Sequence, residues 1–392
     1  MAGPLAGVRV VDVTQMISGP VATRILADQG ADGIKVEPPS GDLTRGLGGA
    51  HRGMAPIFAT TNRNKRSLAL DLKHPEGVAV LERLVERADV FVQNFRPGTA
   101  ERMGLGETVL RALRPDLIYV SISGFGERGP YAHKRVYDPV IQALSGLASI
   151  QGGSSGRPRM LRLIVPDKLT ALTAAQAITA ALFARARGGP GQHLRLSMLD
   201  AVVAFLWPEG MARHTFIGAD VGLSRPREVR DLVFETKDGF MTAGTVALRE
   251  WQAFCGAVGH EEWTRDARFR SAAGLVKYAD TRLEWMAQVL RTRTTAEWLE
   301  ILDRAQVPCA PILTREQLLE HPQILANELI VESEHPHAGR MRETRPPERF
   351  ERTPSELRRP APLLGEHSDE ILREAGLADS EITRLRETGA IL

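Results

Sequence analysis

The sequence predicts an α/β protein: an open parallel sheet covered on both faces, followed by a smaller α+β domain. Two observations carry the first part. Short β-branched apolar runs recur between residues 8 and 197, and helical patterns stand between them. A third observation carries the second part: beyond residue 232 the text shifts to short strands and separate helices.

Residues 8–13 (VRVVDV) are short, β-branched and nearly all apolar, as a buried strand requires. TQMISGP then turns the chain, 21–29 reads as an amphipathic helix closed by Gly30, and 33–37 (GIKVE) is a second strand. Strand, helix and strand in so short a span form a βαβ unit. The pattern recurs. Strands are expected at 67–72 (SLALDL), 90–93 and 117–122 (LIYVSI), with helices at 75–88 and 107–113.

The stretch 164–200 organises the rest. Asp167 follows Pro166 and opens a run rich in Ala, Leu, Thr and Ile that meets no Gly or Pro until Gly188 and Gly189. An acid at the start and a Gly pair at the end are helix start and stop signals. Apolar and small residues fall on nearly every side, which predicts a helix buried between layers. Asp167 is then a carboxylate at the mouth of a buried helix, where the dipole and free N–H groups favour its ionised form. An Asp in that place is most often only an N-cap.

A strand at 193–197 and a helix at 198–207 follow. Residues 219–232, with SRPREVRD, read as a linker. In VFETKDGFMTAG, Asp238-Gly239 signals a hairpin turn. Helices at 249–256, 280–291 and 295–305 complete a domain that closes near VPCAPIL (307–313). Residues 335–362, rich in Pro and Arg, are expected to run extended over the surface, before helices at 368–374 and 380–386.

A chain of 392 residues suggests two or three domains. A formal charge of only +2 argues against a nucleic-acid binder and suits local basic clusters facing an anionic small molecule. Cys255 and Cys309 stand far apart without metal-ligand spacing, so neither a disulfide framework nor a zinc module is expected. No secretory pattern opens the chain. The run nearest to a membrane span, 169–183, carries Thr and Gln, and a reducing cytoplasmic setting is expected.

In open α/β sheets ligands bind at the carboxyl ends of the strands. Those loops read TQMISGP (14–20), EPPSGD (37–42), KHPEG (73–77), NFRPG (94–98) and SGFGERGP (123–130). The last holds a literal GxGxxG at Gly124, Gly126 and Gly129. A dinucleotide fingerprint must open a helix at the first βα turn, and here Pro130 and Tyr131 follow in a later unit. A nicotinamide cofactor is therefore not expected, and no P-loop motif occurs.

These residues, taken together, resemble the class III CoA-transferases, the formyl-CoA and carnitine-CoA transferase group that also contains the α-methylacyl-CoA racemases. The likeness runs through GVRVVDVTQMISGP (7–20), ADGIKVEPPSGD (31–42), NKRSLALDLKHPEG (64–77), QNFRPGTAERMGLG (93–106) and SGFGERGPYAHKRVYDPVIQALSGL (123–147). It continues through the Asp167 helix, GGPGQHLRLSMLDAV (188–202), VPCAPIL and PLLGEHSDEIL (362–372). The order and spacing of the segments make it specific.

The resemblance implies a large Rossmann-like CoA-binding domain (1–218), a small α+β domain with linkers (219–325), a C-terminal segment returning to the large domain (326–392), and an interlocked homodimer. It implies that Asp167 is catalytic. CoA, a co-substrate rather than a resident cofactor, would meet Ile17, Ser18, Leu70, Asp71, Leu72, Lys73, Asn94, Phe95, Arg96, Arg102, Arg135, Tyr137 and Asp138. The basic members suit phosphate oxygens, although exposed Lys and Arg are common on any surface. No metal, nucleic acid or membrane is implied; an acyl-CoA and an acceptor carboxylic acid are.

Two departures matter. Pro38 stands where formyl-CoA transferases carry an arginine, and their glycine-rich loop is not visible in 225–250. Formyl and oxalyl groups are therefore poor substrate expectations. The racemase branch needs a base before the Asp of YDPV, usually His, and Tyr137 stands there with His133 four positions earlier. A neutral Tyr is too weak a base near pH 7. CoA transfer is the expected activity, with racemisation or non-catalytic acyl-CoA binding as the alternatives.

Overall fold

The computed structural model describes residues 3–152, 156–218 and 232–392, so the expected linker at 219–232 lies outside the described residues except for Leu232. The chain divides into two compact units. One comprises Met1–Ala148, Met160–Glu209 and Asn327–Leu392; the other comprises Ser149–Arg159 and Gly210–Ala326.

The larger unit is built on six parallel strands: β1 (Arg9–Asp12), β2 (Asp32–Glu37), β3 (Lys65–Ala69), β4 (Val90–Gln93), β5 (Ile118–Ser123) and β6 (His193–Ser197). Their spatial order is β3-β2-β1-β4-β5-β6. The order reverses between β1 and β4, and that switch opens a crevice at the carboxyl ends of the strands.

Between and after these strands run α1 (Ser18–Asp28), α2 (Pro56–Asn62), α3 (Pro75–Val85), α4 (Thr99–Arg102), α5 (Glu107–Leu113), α6 (Asp138–Leu144), α7 (Leu147–Ile150), α8 (Val165–Ala186) and α9 (Met198–Gly210). Successive strand residues face opposite layers. Val10, Val90, Val92, Ile118 and Val120 share a core with Leu26 of α1 and with Ala171, Ala174 and Ile178 of α8. Val11, Phe91 and Tyr119 share another with Leu81 and Leu84 of α3 and Leu110 of α5. Burial on both faces explains why the strands read as apolar runs.

Small residues on α8 let it lie directly against α1. By length and composition α8 is a helix that would reach across a membrane, yet one stripe of it is core. Its other side corrects the expectation of all-round burial: Leu172 is 59% and Phe183 64% exposed. α1 covers one stripe only.

β3 begins two residues earlier than its apolar pattern suggests, because Lys65 and Arg66 are strand residues whose charges find distant partners. The extended surface run expected over 335–362 is corrected only at its start: 345–362 carry no helix or strand and lie mostly at the surface, whereas 339–344 form a strand. β10 (Ile330–His335) and β11 (Gly339–Thr344) form an antiparallel ribbon. Alternation of Glu, Arg and Thr with Val, Met and Ser supports the ribbon, and Glu332 pairs across it with Arg342 at 2.9 Å.

The smaller unit holds the strands that precede that ribbon in the chain: β7 (Phe234–Glu235), β8 (Phe240–Ala243) and β9 (Cys309–Pro311), antiparallel in that order. Asp238-Gly239 is the hairpin turn, with Thr236 N donating to Gly239 O at 2.9 Å. α10 (Leu248–Val258), α11 (Ala272–Lys277), α12 (Ala279–Leu290) and α13 (Thr295–Arg304) pack around Trp251, Phe254, Phe269 and Trp298. α14 (Arg315–Glu320) and α15 (Pro322–Ala326) end the unit. In the larger unit, α16 (Ser368–Glu374) and α17 (Asp379–Glu387) bring Ile371, Leu372 and Leu385 into the core beside β3.

Candidate functional site

The site is assembled at the β1/β4 switch. Asp12, fully buried at the end of β1, accepts hydrogen bonds from Thr14 N at 2.9 Å, Thr23 Oγ1 at 2.6 Å and Lys65 Nζ at 2.9 Å. Burial alone would raise its carboxyl, but Lys65, Lys35, Thr14 and Thr23 hold it well below the usual carboxylate range. Burial pushes the Lys65 ammonium down to about 8. Lys65 also donates to Pro20 O and Asn62 Oδ1, both at 2.9 Å.

This buried pair fixes the base of the loop between β1 and α1, and two further clamps fix its top. Lys35 Nζ donates to Thr14 O at 2.8 Å and to Asp42 at 3.1 Å. Asp42 in turn accepts from the amide of Met16, a left-handed residue with φ of 68°. Asn94, leaving β4, holds Gln15 at both backbone atoms: its Oδ1 accepts from Gln15 N at 2.9 Å and its Nδ2 donates to Gln15 O at 2.8 Å. A non-glycine left-handed residue costs about 1–2 kcal/mol, so the loop stays in this form because its neighbours determine it.

Asp167 faces this loop. It lies in the first turn of α8, after Pro166, while Ile164 is the N-cap and makes no side-chain cap bond. Asp167 is therefore not the capping residue. Its carboxyl shares a cavity of about 330 Å³ with Gln15, Met16 and Ser18, with Asn94, Phe95 and Arg96, and with Lys134, Arg135 and Tyr137. Burial, followed by the neighbouring Asp138, pushes Asp167 up to about 6, and hydrogen bonds from Ser18 pull the other way. The helix-mouth argument expected ionisation to be favoured; desolvation and a second carboxylate outweigh it.

The residues expected to meet CoA separate into groups. Ser18, Asn94, Phe95, Arg96, Arg135 and Tyr137 line the Asp167 cavity. Ile17 is buried behind it as the N-cap of α1. Arg102 lies in an adjoining cavity with Arg96, Thr99 and His133, its Nη2 donating to Thr99 Oγ1 at 2.8 Å. Leu70, Asp71, Leu72 and Lys73 follow β3 and do not line either cavity. The Leu70 side chain is core, Leu72 packs against that core, and Asp71 N donates to Ala390 O at 2.8 Å.

Asp138, the first residue of α6, turns its carboxylate inward rather than towards the cavity. Oδ2 accepts from Asp167 N at 3.3 Å and Oδ1 accepts from Gln142 Nε2 at 2.6 Å. Sequence reasoning missed Gln142, although Asp138 and Gln142 stand at helix-neighbour spacing. It also missed Gln15, Lys134 and the Lys35–Asp42 clamp, a buried pair seven residues apart that joins β2 to the loop after it.

The GxGxxG segment has a local explanation. A side chain at Gly124 would strike Val136, and Gly126 and Gly129 are left-handed with φ near 90°. The next helix begins only at Asp138, so the segment does not open a helix. Among the described residues no histidine lines the Asp167 cavity; His133 lines the adjoining ones. Among the described residues, no group of three or more His, Cys, Asp or Glu is placed to hold a metal ion.

Comparison with known proteins bears on this site. Residues 5–368 match the family model for CoA-transferase family III. The chain is similar to a formyl-CoA:oxalate CoA-transferase of Rhodopseudomonas palustris, at 33% identity over 100% of this chain and 98% of the relative. It is similar to a succinyl-CoA:glutarate CoA-transferase of Mus musculus, at 33% identity over 95% of this chain and 86% of the relative. A crystal structure of a CAIB/BAIF family protein from Brucella suis superimposes with a TM-score of 0.82. The two are 30% identical, covering 96% of this chain and 100% of that one.

Proposed function

This chain belongs to CoA-transferase family III, and from that premise we propose that Asp167 carries CoA from an acyl-CoA thioester to a carboxylic acid. The observation that supports it is a single one: a half-buried carboxylate facing a cavity bordered by the basic side chains Arg96, Lys134 and Arg135.

An Asp167 oxygen attacks the thioester carbonyl, the C–S bond breaks, and CoA thiolate leaves a mixed anhydride. The thiolate then attacks the Asp167 carbonyl carbon, releasing the acyl group as a carboxylate and leaving an aspartyl-CoA thioester. The acceptor acid reverses the sequence. Carboxylates are weak nucleophiles towards thioesters, so position must supply much of the rate. Each addition forms an oxyanion that fixed N–H donors stabilise.

CoA itself is assigned to Ile17, Ser18, Leu70–Lys73, Asn94–Arg96, Arg102, Arg135, Tyr137 and the backbone near Asp138. The same reading places the domains at 1–218, 219–325 and 326–392, in a cytoplasmic interlocked homodimer. Grouping of Asn327–Leu392 with the N-terminal residues supports the returning segment. The racemase reading is less well supported, because it needs a second base and Tyr137, 64% exposed, stands where a histidine would.

Intact-protein mass after incubation with a panel of acyl-CoAs tests the proposal. Wild type is expected to gain a hydroxylamine-sensitive acyl or CoA adduct that Asp167→Asn lacks. Absence of any adduct, with deuterium exchange at the α-carbon of a 2-methylacyl-CoA, overturns it in favour of racemisation.

A further inference from the structure

Asp138 is a second buried carboxylate beside the nucleophile, only 6% exposed, and its place in the fold is built rather than incidental. It opens α6, and Pro139 follows it within the first turn. One oxygen receives the Asp167 amide at 3.3 Å and the other receives Gln142 Nε2 at 2.6 Å. Gln142 Oε1 then accepts from Leu161 N at 2.8 Å, just ahead of α8. The chain entering α8 is thus latched to α6 at Leu161 and at Asp167. Among the described residues, neither Asp138 nor Asp167 makes an ion pair.

Resting on Asp167 as nucleophile, we infer that Asp138 is a positioning residue for CoA transfer. Its carboxylate aims the Asp167 peptide, and its charge opposes Asp167 only while Asp167 is a free carboxylate. Acylation removes that opposition. In the anhydride an Asp167 oxygen is bonded to the acyl carbon and the thioester C–S bond is broken. In the aspartyl thioester the Asp167 carbonyl carbon is bonded to sulfur and the C–O bond to the acyl group is broken. In both states Asp167 is uncharged, its negative charge having passed to the CoA thiolate in the first step and to the released carboxylate in the second, so the repulsion between Asp138 and Asp167 favours the covalent forms once that anion has moved away from Asp138.

The surroundings of Asp167 single out Asp138. Arg96 comes from the loop after β4, and Lys134, Arg135 and Tyr137 come from the segment before α6. Ser18 faces it from α1 without a titratable group, and Lys168, next on α8, is exposed. Of the charged groups, Asp138 is the one that raises the Asp167 carboxyl, after burial itself.

The test is the pH dependence of single-turnover adduct formation, read by quenched intact mass, in wild type, Asp138→Asn and Gln142→Leu. Wild type is expected to lose its adduct rate on acidification with a midpoint near pH 6. Asp138→Asn is expected to move the midpoint down by roughly one unit and to lower the equilibrium ratio of covalent to free enzyme about tenfold. Gln142→Leu, which keeps the charge and loosens the latch, is expected to slow adduct formation with the midpoint unmoved. If Asp138→Asn does not fold, Asp138→Ser removes the same charge and takes its place. A midpoint unchanged in the folded charge-removing variant overturns the inference, even where the rate falls, because lost structure alone gives that result. Absence of an adduct in wild type would instead overturn the nucleophile reading itself.

Discussion

Asp167 sits where burial and a neighbouring carboxylate disfavour its charge, and the consequence for stability has a definite sign. Burial and Asp138 raise its carboxyl from 3.8 to about 6. A raised value means that the unfolded chain ionises first as pH rises, so stability is lost between about pH 4 and pH 6 and the loss is complete above that window. Asp167→Asn removes the penalty. The variant is expected to be more stable than wild type at pH 7.5, by up to about 3 kcal/mol, and to match it near pH 3.5. Thermal unfolding at the two pH values checks this, and an equal difference at both would mean that packing, not ionisation, distinguishes the side chains. A strained or charged active site that costs stability is a common cost of function. The position of Asp167 is legible from Pro166 and the helix that follows. The direction of its titration is not, because Asp138 lies 29 residues away in sequence, across α6 and α7, and the helix-mouth argument points the other way.

At the scale of elements, the loop between β1 and α1 depends on β3. Lys65 reaches across from that strand to Asp12, and both side chains are fully buried. Breaking one partner of such a pair leaves an uncompensated charge, typically costing about 3–5 kcal/mol. Lys65→Met is expected to show that loss as a lower denaturation midpoint with an unchanged slope. Adding Asp12→Asn is expected to recover part of it, and a double variant no better than the single one would contradict the pairing. β1, β4 and β5 were readable because both sheet faces are covered there, which makes their text nearly continuous and apolar. β10 and β11 were not, since a ribbon of alternating Glu and Arg resembles a solvated loop. α2 and α6, each of seven residues, escaped notice, although α5 and α16 of the same length were read. The Lys65 pair was equally invisible: a buried cation in a strand has no local signature, only a distant partner.

At the scale of the whole molecule, the exposed apolar side chains ask for a partner. Leu172 and Phe183 stand about three turns apart on the same side of α8. α9 adds Phe205 and Trp207, both exposed. Large apolar side chains gathered on neighbouring stretches of chain are a common mark of an interface. A homodimer is accordingly expected, with a solution mass of twice the 43.0 kDa chain. Interlocking adds a stricter expectation than mere association. Two chains that thread one another cannot part without breaking the backbone path of one, so separation requires unfolding. Mixing tagged and untagged protein under native conditions is therefore expected to give no mixed dimers by native mass spectrometry, while unfolding and refolding the mixture together gives them at statistical abundance. Mixed dimers formed on simple mixing would mean an ordinary side-by-side dimer, and a single-chain mass at micromolar concentration would leave α8 and α9 needing some other cover.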